Sequence, residues 1–239
     1  ENPKLKFKNV YHNGIVERPI GAKDAKLTYP SGDDLGGYAE DDKGKRFVWD
    51  VVDTSKAMKD LVDAHPITRK QYVSTIRALL ENTRGVTIKA LKKDMEDLGK
   101  EVVLGAFAGS DSLKIEVLGP IREQVTHEGE TRSCLRKLGN EGVTKNGHSV
   151  VLKLTYGKLS VMLGGDLNTQ SQDFLLKAFT SVKQAASSLE KKIAKLEAKG
   201  TARDADDEDA LAAARAKLDA LIAEARPVFE CDVAKACHH

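Results

Sequence analysis

The sequence is poor in aromatic residues and in cysteine, and it contains no long apolar run. Aromatic residues make up 5% of the 239 residues, so the core has to be built mainly from aliphatic side chains. Three cysteines, Cys134, Cys231 and Cys237, lack the spacing of a metal finger, and their odd number argues against a disulfide scaffold. No segment approaches the roughly 18 apolar residues of a membrane span. With no recognisable leader, the sequence predicts a cytoplasmic protein that does not enter membranes.

The charge is nearly balanced, at 38 Lys and Arg against 36 Asp and Glu, which gives a net charge of +2. This balance excludes an overall basic coat for nucleic acid, but it leaves local basic faces open. No aromatic platform for stacking bases is evident. Three groups of basic residues could contact phosphates: Lys4, Lys6 and Lys8; Arg69 and Lys70; and Arg132, Arg136 and Lys137. The alternative interpretation is that they form an ordinary solvated surface.

Hydrophobic patterning predicts the main elements. Residues 113–118 alternate as a half-exposed strand that ends at Gly119-Pro120, and residues 121–147 are polar and predict a loop with a short helix. Apolar runs at 149–154 and 159–163 flank Tyr156-Gly157, which is typical of a β-hairpin. Residues 171–199 lack proline and glycine, and a second helical pattern ends at Pro227. The two patterns predict an antiparallel, coiled-coil-like helical hairpin over 171–226.

Three segments, taken in order, resemble one family. They read LKIEVLGP, NGHSVVLKLTYGKLSVMLGGDLN and DVAKACHH, and they resemble the metallo-β-lactamase fold, in its competence-protein (ComEC-like) branch. The opening VYHNGI is similar to the segment after the first metal motif of that branch. The resemblance covers 4–18, 113–168 and 229–239. It implies an α/β fold, a partial αββα sandwich formed by 1–170 and 227–239, with 171–226 as an inserted helical hairpin.

The family's principal metal motif, HxHxDH or HxxxDH, does not occur in this sequence. By the resemblance it would precede residue 1, and a Gly-Ser pair would follow residue 239. We therefore expect the chain to be the central part of a longer polypeptide, and its metal site to be incomplete on its own. Activation by cleavage or by assembly with a companion fragment, through the helical hairpin, is a further hypothesis.

The resemblance assigns a metal site to Asp166 and to the terminal histidines. Asp166 follows Gly164-Gly165 at a strand end and would bridge two divalent ions, zinc or alternatively manganese. His238 would bind metal and His239 would act in catalysis, although the sequence leaves open which of the two is the ligand. The alternative interpretations are a turn aspartate that caps the next segment and a terminal tail without function.

Four further residues are candidate substrate contacts. Asn146 and His148 precede the first hairpin strand, where many members of the family carry a histidine ligand, and a surface loop is the alternative for His148. His12 and Asn13 lie in the Tyr-His-Asn-Gly segment and could line the pocket, the alternative being a local turn.

By the resemblance, the activity is metal-assisted hydrolysis, and we expect a nuclease or phosphodiesterase that acts on DNA. Two other classes stay open at this point. One is a hydrolase of a small ester, lactone or nucleotide with the same fold. The other is a catalytically inactive domain that uses the helical hairpin for interaction with a protein partner.

Overall fold

The computed structural model describes residues 6–18, 35–64, 71–98, 100–105, 107–109 and 112–235. Within these ranges the chain forms six α-helices and three sheets, so the predicted α/β class is confirmed. None of the described helices is both long enough and apolar enough to cross a membrane.

The elements have the following bounds. The strands are β1 (Asn9–His12), β2 (Tyr38–Glu40), β3 (Arg46–Val48), β4 (Thr87–Ala90), β5 (Lys93–Asp94), β6 (Leu113–Gly119), β7 (Ile121–His127), β8 (Glu130–Arg136), β9 (Val151–Tyr156), β10 (Leu159–Leu163) and β11 (Val233–Lys235). The helices are α1 (Ser55–Ala64), α2 (Gln71–Asn82), α3 (Glu141–Gly147), α4 (Thr169–Phe179), α5 (Ala186–Glu197) and α6 (Ala205–Phe229).

The chain divides by its internal contacts into two compact units. Unit 1 is Glu1–Asp94 with Pro120–Val150, and unit 2 is Met95–Gly119 with Val151–His239. This division differs from the boundaries predicted from composition and resemblance, so the predicted domain of 1–170 with 227–239, and the insert of 171–226, stay predictions.

Unit 1 contains a parallel pair of strands, β1 and β4, and a sheet in the order β2-β3-β8-β7-β5. The hydroxyl of Thr54 accepts a hydrogen bond of 3.1 Å from the N–H of Ala57, which fixes the start of α1. The apolar face of α1 then packs into a core with β4 and α2. Its buried members include Val16, Met58, Leu61, Val62, Val73, Ile76 and Ile88.

Unit 2 contains a sheet in the order β11-β10-β9-β6. The predicted strand before Gly119 and the predicted hairpin are both confirmed, as β6 and as the antiparallel pair β9–β10. β10 and β11 are parallel, with Leu163 opposite Lys235, and α4, α5 and α6 form the connection between them. A parallel neighbour requires such a crossover, which the helical segment supplies.

The predicted loop over 121–147 is wrong, since these residues form the antiparallel hairpin β7–β8 followed by α3. Ile121 and Arg122 are both buried, at 1% and 0% exposure, so the alternation typical of a half-buried strand is broken at its start. The turn between the strands uses Glu128 and Gly129 with φ of 50° and 82°. A glutamate in the left-handed region is uncommon, so the sequence gives little turn signal.

The predicted helix over 171–199 is interrupted. The break lies between α4 and α5. The Thr180 hydroxyl donates to the Leu176 carbonyl at 2.7 Å, and Asp173 accepts from the Ser187 N–H at 3.0 Å, so side chains form hydrogen bonds with backbone groups on both sides of the break. α5 and α6 then pair in antiparallel register, as the ion pairs Lys199–Asp207 and Arg215–Glu197 show.

The predicted end of the second helix at Pro227 is also wrong. α6 continues to Phe229, whose ring lies 5.3 Å from that of Phe179 in an edge-to-face contact. Tertiary packing of this ring offsets the backbone hydrogen bond that a proline cannot donate.

Candidate functional site

Asp166 lies in the turn between β10 and α4, at one edge of the unit 2 sheet. Gly165 before it has φ of 63°, a conformation that favours glycine, and this sharp turn leaves Asp166 half-buried beyond the strand end. The first turn of α4 is capped by Asn168, whose side chain accepts from the Ser171 N–H at 3.1 Å. The alternative interpretation of Asp166 as the helix cap therefore does not describe its position.

The end of β11 reaches the same edge of the sheet as Asp166. Because β10 and β11 are parallel, Lys235 lies opposite Leu163, three residues before Asp166. His238 and His239 lie outside the described residues. Among the side chains that are described, no three of His, Cys, Asp or Glu lie together as a metal ion requires.

In unit 1, His12 ends β1 and is buried, with 7% of its surface exposed. Its Nδ1 accepts a hydrogen bond of 3.1 Å from the N–H of Gly14, so a neutral ring carries its proton on Nε2. That Nε2 is buried without a partner in the described part of the chain. The Asn13 side-chain oxygen accepts from the Ile15 N–H at 3.0 Å, which makes Asn13 part of a local turn.

The buried cation beside this turn is Arg122, at the start of β7. Its two terminal nitrogens lie 2.8 Å and 2.6 Å from the carboxylate oxygens of Asp53, whose side chain is 46% exposed. Gly14 has φ of 88°, and a Cβ there would lie 2.5 Å from Nη2 of Arg122 and from Val51. Glycine therefore lets the guanidinium approach the backbone at the end of β1.

Burial keeps His12 neutral at physiological pH. The pKa of His12 is lowered from 6.5 to about 4, mainly by loss of solvent and also by the charge of Arg122, while Asp53 opposes the change. A neutral ring with Nδ1 engaged and Nε2 protonated has no lone pair for a metal ion, so this geometry favours a hydrogen-bond donor.

His148 and Asn146 lie together at the end of α3. His148 is 1% exposed, and its Nε2 lies 2.7 Å from the carbonyl oxygen of Arg136, so the alternative of a surface histidine does not describe it. The pKa of His148 is lowered from 6.5 to about 4, mainly by burial; the hydrogen bond to the Arg136 carbonyl opposes the change, and the charge of Arg122 adds to it. The carbonyl of Asn146 accepts from the Ser149 hydroxyl at 2.8 Å.

Arg122 and Asp53 are the residues of this region that the sequence analysis missed. The charge of Arg122 acts on both His12 and His148, which links two of the predicted positions within unit 1. The available signal was an aspartate just before the helix cap Thr54. Nothing in the pattern around Arg122 separated a buried arginine from an exposed one.

One predicted basic face carries less free charge than its sequence implies. Arg132 forms two hydrogen bonds with Glu130, at 2.8 Å and 2.7 Å, and Arg136 is paired with Glu123. The ammonium of Lys137 lies 4.2 Å from the ring centre of Tyr38. Paired guanidinium groups attract phosphates less than free ones do.

In comparison with known proteins, no family model, no curated protein and no solved structure matches the chain.

Proposed function

We propose that the chain is part of a metal-dependent hydrolase with the metallo-β-lactamase sandwich, and that it cleaves phosphodiester bonds in DNA. The observation that supports this proposal is the parallel pairing of β10 with β11. In this pairing, the turn that holds Asp166 and the end of β11 at Lys235 lie at one edge of a sheet, and His238 follows three residues later in the sequence. Polar residues that follow neighbouring parallel strands are the usual place for a site in α/β proteins.

The donor set fits the implied metal ions. A carboxylate and an imidazole are ligands that zinc and manganese accept. Asp166 and His238 would hold the ions, and the ligand set has to be completed by residues outside the described ranges, since the described ones form no metal-binding group. Two divalent ions, when bound, supply Lewis acidity and an activated water.

The residues of the chain would have separate roles. Asp166 would fix the ions, and His239 would stabilise charge on the substrate. In unit 1, the Nε2–H of His12 is a neutral donor without a described acceptor, but it is buried, so it would donate to a phosphate oxygen only after a local opening of the chain. Asn13, Asn146 and His148 remain predicted substrate contacts, although His148 would require an opening of its buried position.

The test compares Asp166→Asn with Asp209→Asn, which makes the same change on an exposed part of α6. We expect the first variant to lose affinity for zinc by more than about tenfold and to lose cleavage of plasmid DNA. The matched control should retain both. Unchanged zinc binding and cleavage in Asp166→Asn would contradict the proposal.

The substrate class is tested separately, with zinc or manganese added, on the protein that carries the complete ligand set. Release of nucleotides from plasmid DNA, without turnover of small esters or lactones, is the expected result. Turnover of a small ester alone would favour the small-molecule hydrolase. Zinc binding without turnover of either substrate would favour an inactive interaction domain.

A further inference from the structure

One flank of α6 exposes an isoleucine between two charged side chains. Ile222 is 46% exposed, which makes it one of the most exposed large aliphatic residues that the structure describes. Asp219 and Arg226 lie about one helical turn to either side of it and share its flank at 3.6 residues per turn. Both are exposed, and neither contacts an oppositely charged side chain of the described residues.

The same flank borders an apolar cavity of about 400 Å³ between α4, α5 and α6. Its lining includes Leu218, Leu221, Phe229 and, from the exposed flank, Ile222 and Arg226. An exposed aliphatic side chain next to an open apolar cavity provides surface that a partner would bury favourably.

We propose that this flank is the interface with a second copy of the chain, in which two α6 helices pair antiparallel about a two-fold axis between Ile222 and Ala223. In such a pair, residues at equal sequence distance from the axis meet. Asp219 lies 3.5 residues before the axis and Arg226 lies 3.5 residues after it. Asp219 of each copy therefore meets Arg226 of the other copy, and the ion pair forms twice.

The charge pattern favours a second copy over an unrelated helix. In an antiparallel pair of identical helices, the acidic Asp219 of one copy faces the basic Arg226 of the other, so the pattern is complementary to itself, with Ile222 near the centre of the contact. Complementary charges around an apolar centre specify orientation and register. A contact of one helix pair is smaller than the standard interface, so we expect a weak dimer that dissociates in the micromolar range.

The experiment is sedimentation equilibrium of the full chain over a series of concentrations. Asp219→Arg and Arg226→Asp each place like charges opposite each other at two symmetric contacts. Each single variant should raise the dimer dissociation constant by more than about tenfold. The double variant Asp219→Arg with Arg226→Asp restores opposite charges and should return the constant towards that of the unmodified chain. Lys217→Asp, a charge reversal on the opposite side of α6, is the matched control and should leave the constant unchanged.

Circular dichroism of each variant shows that the helices are retained. A chain that is monomeric throughout the micromolar range overturns the proposal. It is also overturned by single variants that dimerise as the unmodified chain does, or by a double variant that stays monomeric. The proposal does not depend on the hydrolase activity, because none of these residues belongs to the candidate site.

Discussion

The two units differ in where their charged side chains lie: several are buried in unit 1, whereas those described in unit 2 are not. Among the described residues, unit 1 buries five basic side chains to 7% exposure or less, namely His12, Arg18, Lys93, Arg122 and His148. The buried polar side chains described in unit 2 are Ser171 and Thr180, neither of which carries a charge. Unit 2 keeps its ions on the surface, at the ends and flanks of the helical hairpin.

This difference implies two kinds of stability. A buried ionisable group links folding to protonation, because its pKa differs between the folded and unfolded chain. Surface ion pairs are screened by water and salt and contribute little. We therefore expect unit 1 to respond strongly to pH and to the removal of single charges. Unit 2 should respond mainly to changes in apolar packing and in helix caps.

The largest expected effect is the loss of stability of unit 1 in mild acid. The pKa of both His12 and His148 is lowered from 6.5 to about 4 in the folded chain, so the unfolded chain takes up protons first as the pH falls. Their contribution is fully present above pH 6.5 and is lost as the pH falls towards 4. Between pH 7 and pH 5 the two together should cost about 4 kcal/mol.

Hydrogen exchange at the two pH values locates this loss. Amides of β1 and β4 should lose protection in acid, whereas those of α5 and α6 should change much less. His148→Gln keeps a side-chain N–H for the Arg136 carbonyl but does not titrate, so about half of the pH dependence should disappear in this variant. Equal acid sensitivity in both units would remove the contrast between them.

The second effect comes from the buried cation. Arg122→Met removes the attraction between Asp53 and a guanidinium that is shielded from water; because Asp53 itself is 46% exposed and stays solvated, we expect a cost of about 2 kcal/mol, below that of leaving a buried charge unpaired. The pKa of His12 should rise, because the positive charge that lowers it is gone. Urea unfolding measures the first change and an NMR titration of the His12 ring measures the second. A stable variant with an unchanged His12 titration would show that Arg122 acts only as an apolar filler.

The same contrast explains which elements the sequence predicted. The hairpin β9–β10 is built from apolar runs around a glycine turn, so its signal is local and complete. The hairpin β7–β8 begins with buried Arg122, which in a sequence is indistinguishable from an exposed arginine. The partner that makes its burial tolerable is Asp53, 69 residues away in the chain. A long-range pair of this kind leaves no periodic signal.

In the candidate site, too, some features could be predicted from the local sequence and others could not. A turn at Asp166 could be predicted from Gly164-Gly165 after a strand, and the structure places that turn as expected. The buried state of His148 could not be predicted, because it depends on a contact with Arg136, twelve residues away in the chain. The engaged Nδ1 of His12 agrees with the alternative of a local turn, since its partner Gly14 is two residues away.

A third, smaller effect concerns a helix cap of unit 2. Asn168→Ala removes the oxygen that accepts from the Ser171 N–H, and loss of such a cap costs about 1 kcal/mol. Asn168→Asp keeps the acceptor and should remain within a few tenths of a kcal/mol. Thermal unfolding at pH 7 compares the two variants. A larger loss with Asp than with Ala would show that the nearby Asp166 carboxylate repels a second charge at this turn.

The smallest expected effect tests the comparison most directly. Arg215 lies 2.6 Å from Glu197, and Arg122 lies 2.6 Å from Asp53; the two carboxylates are equally exposed, at 46%. The pairs differ in their arginines, of which Arg215 is 56% exposed and Arg122 is 0% exposed. The Arg215 guanidinium is itself in water, so its attraction to Glu197 is screened by water and salt, and Arg215→Met should cost less than about 0.5 kcal/mol in urea unfolding at pH 7. If it costs as much as Arg122→Met, burial of the cation is not what separates the two units.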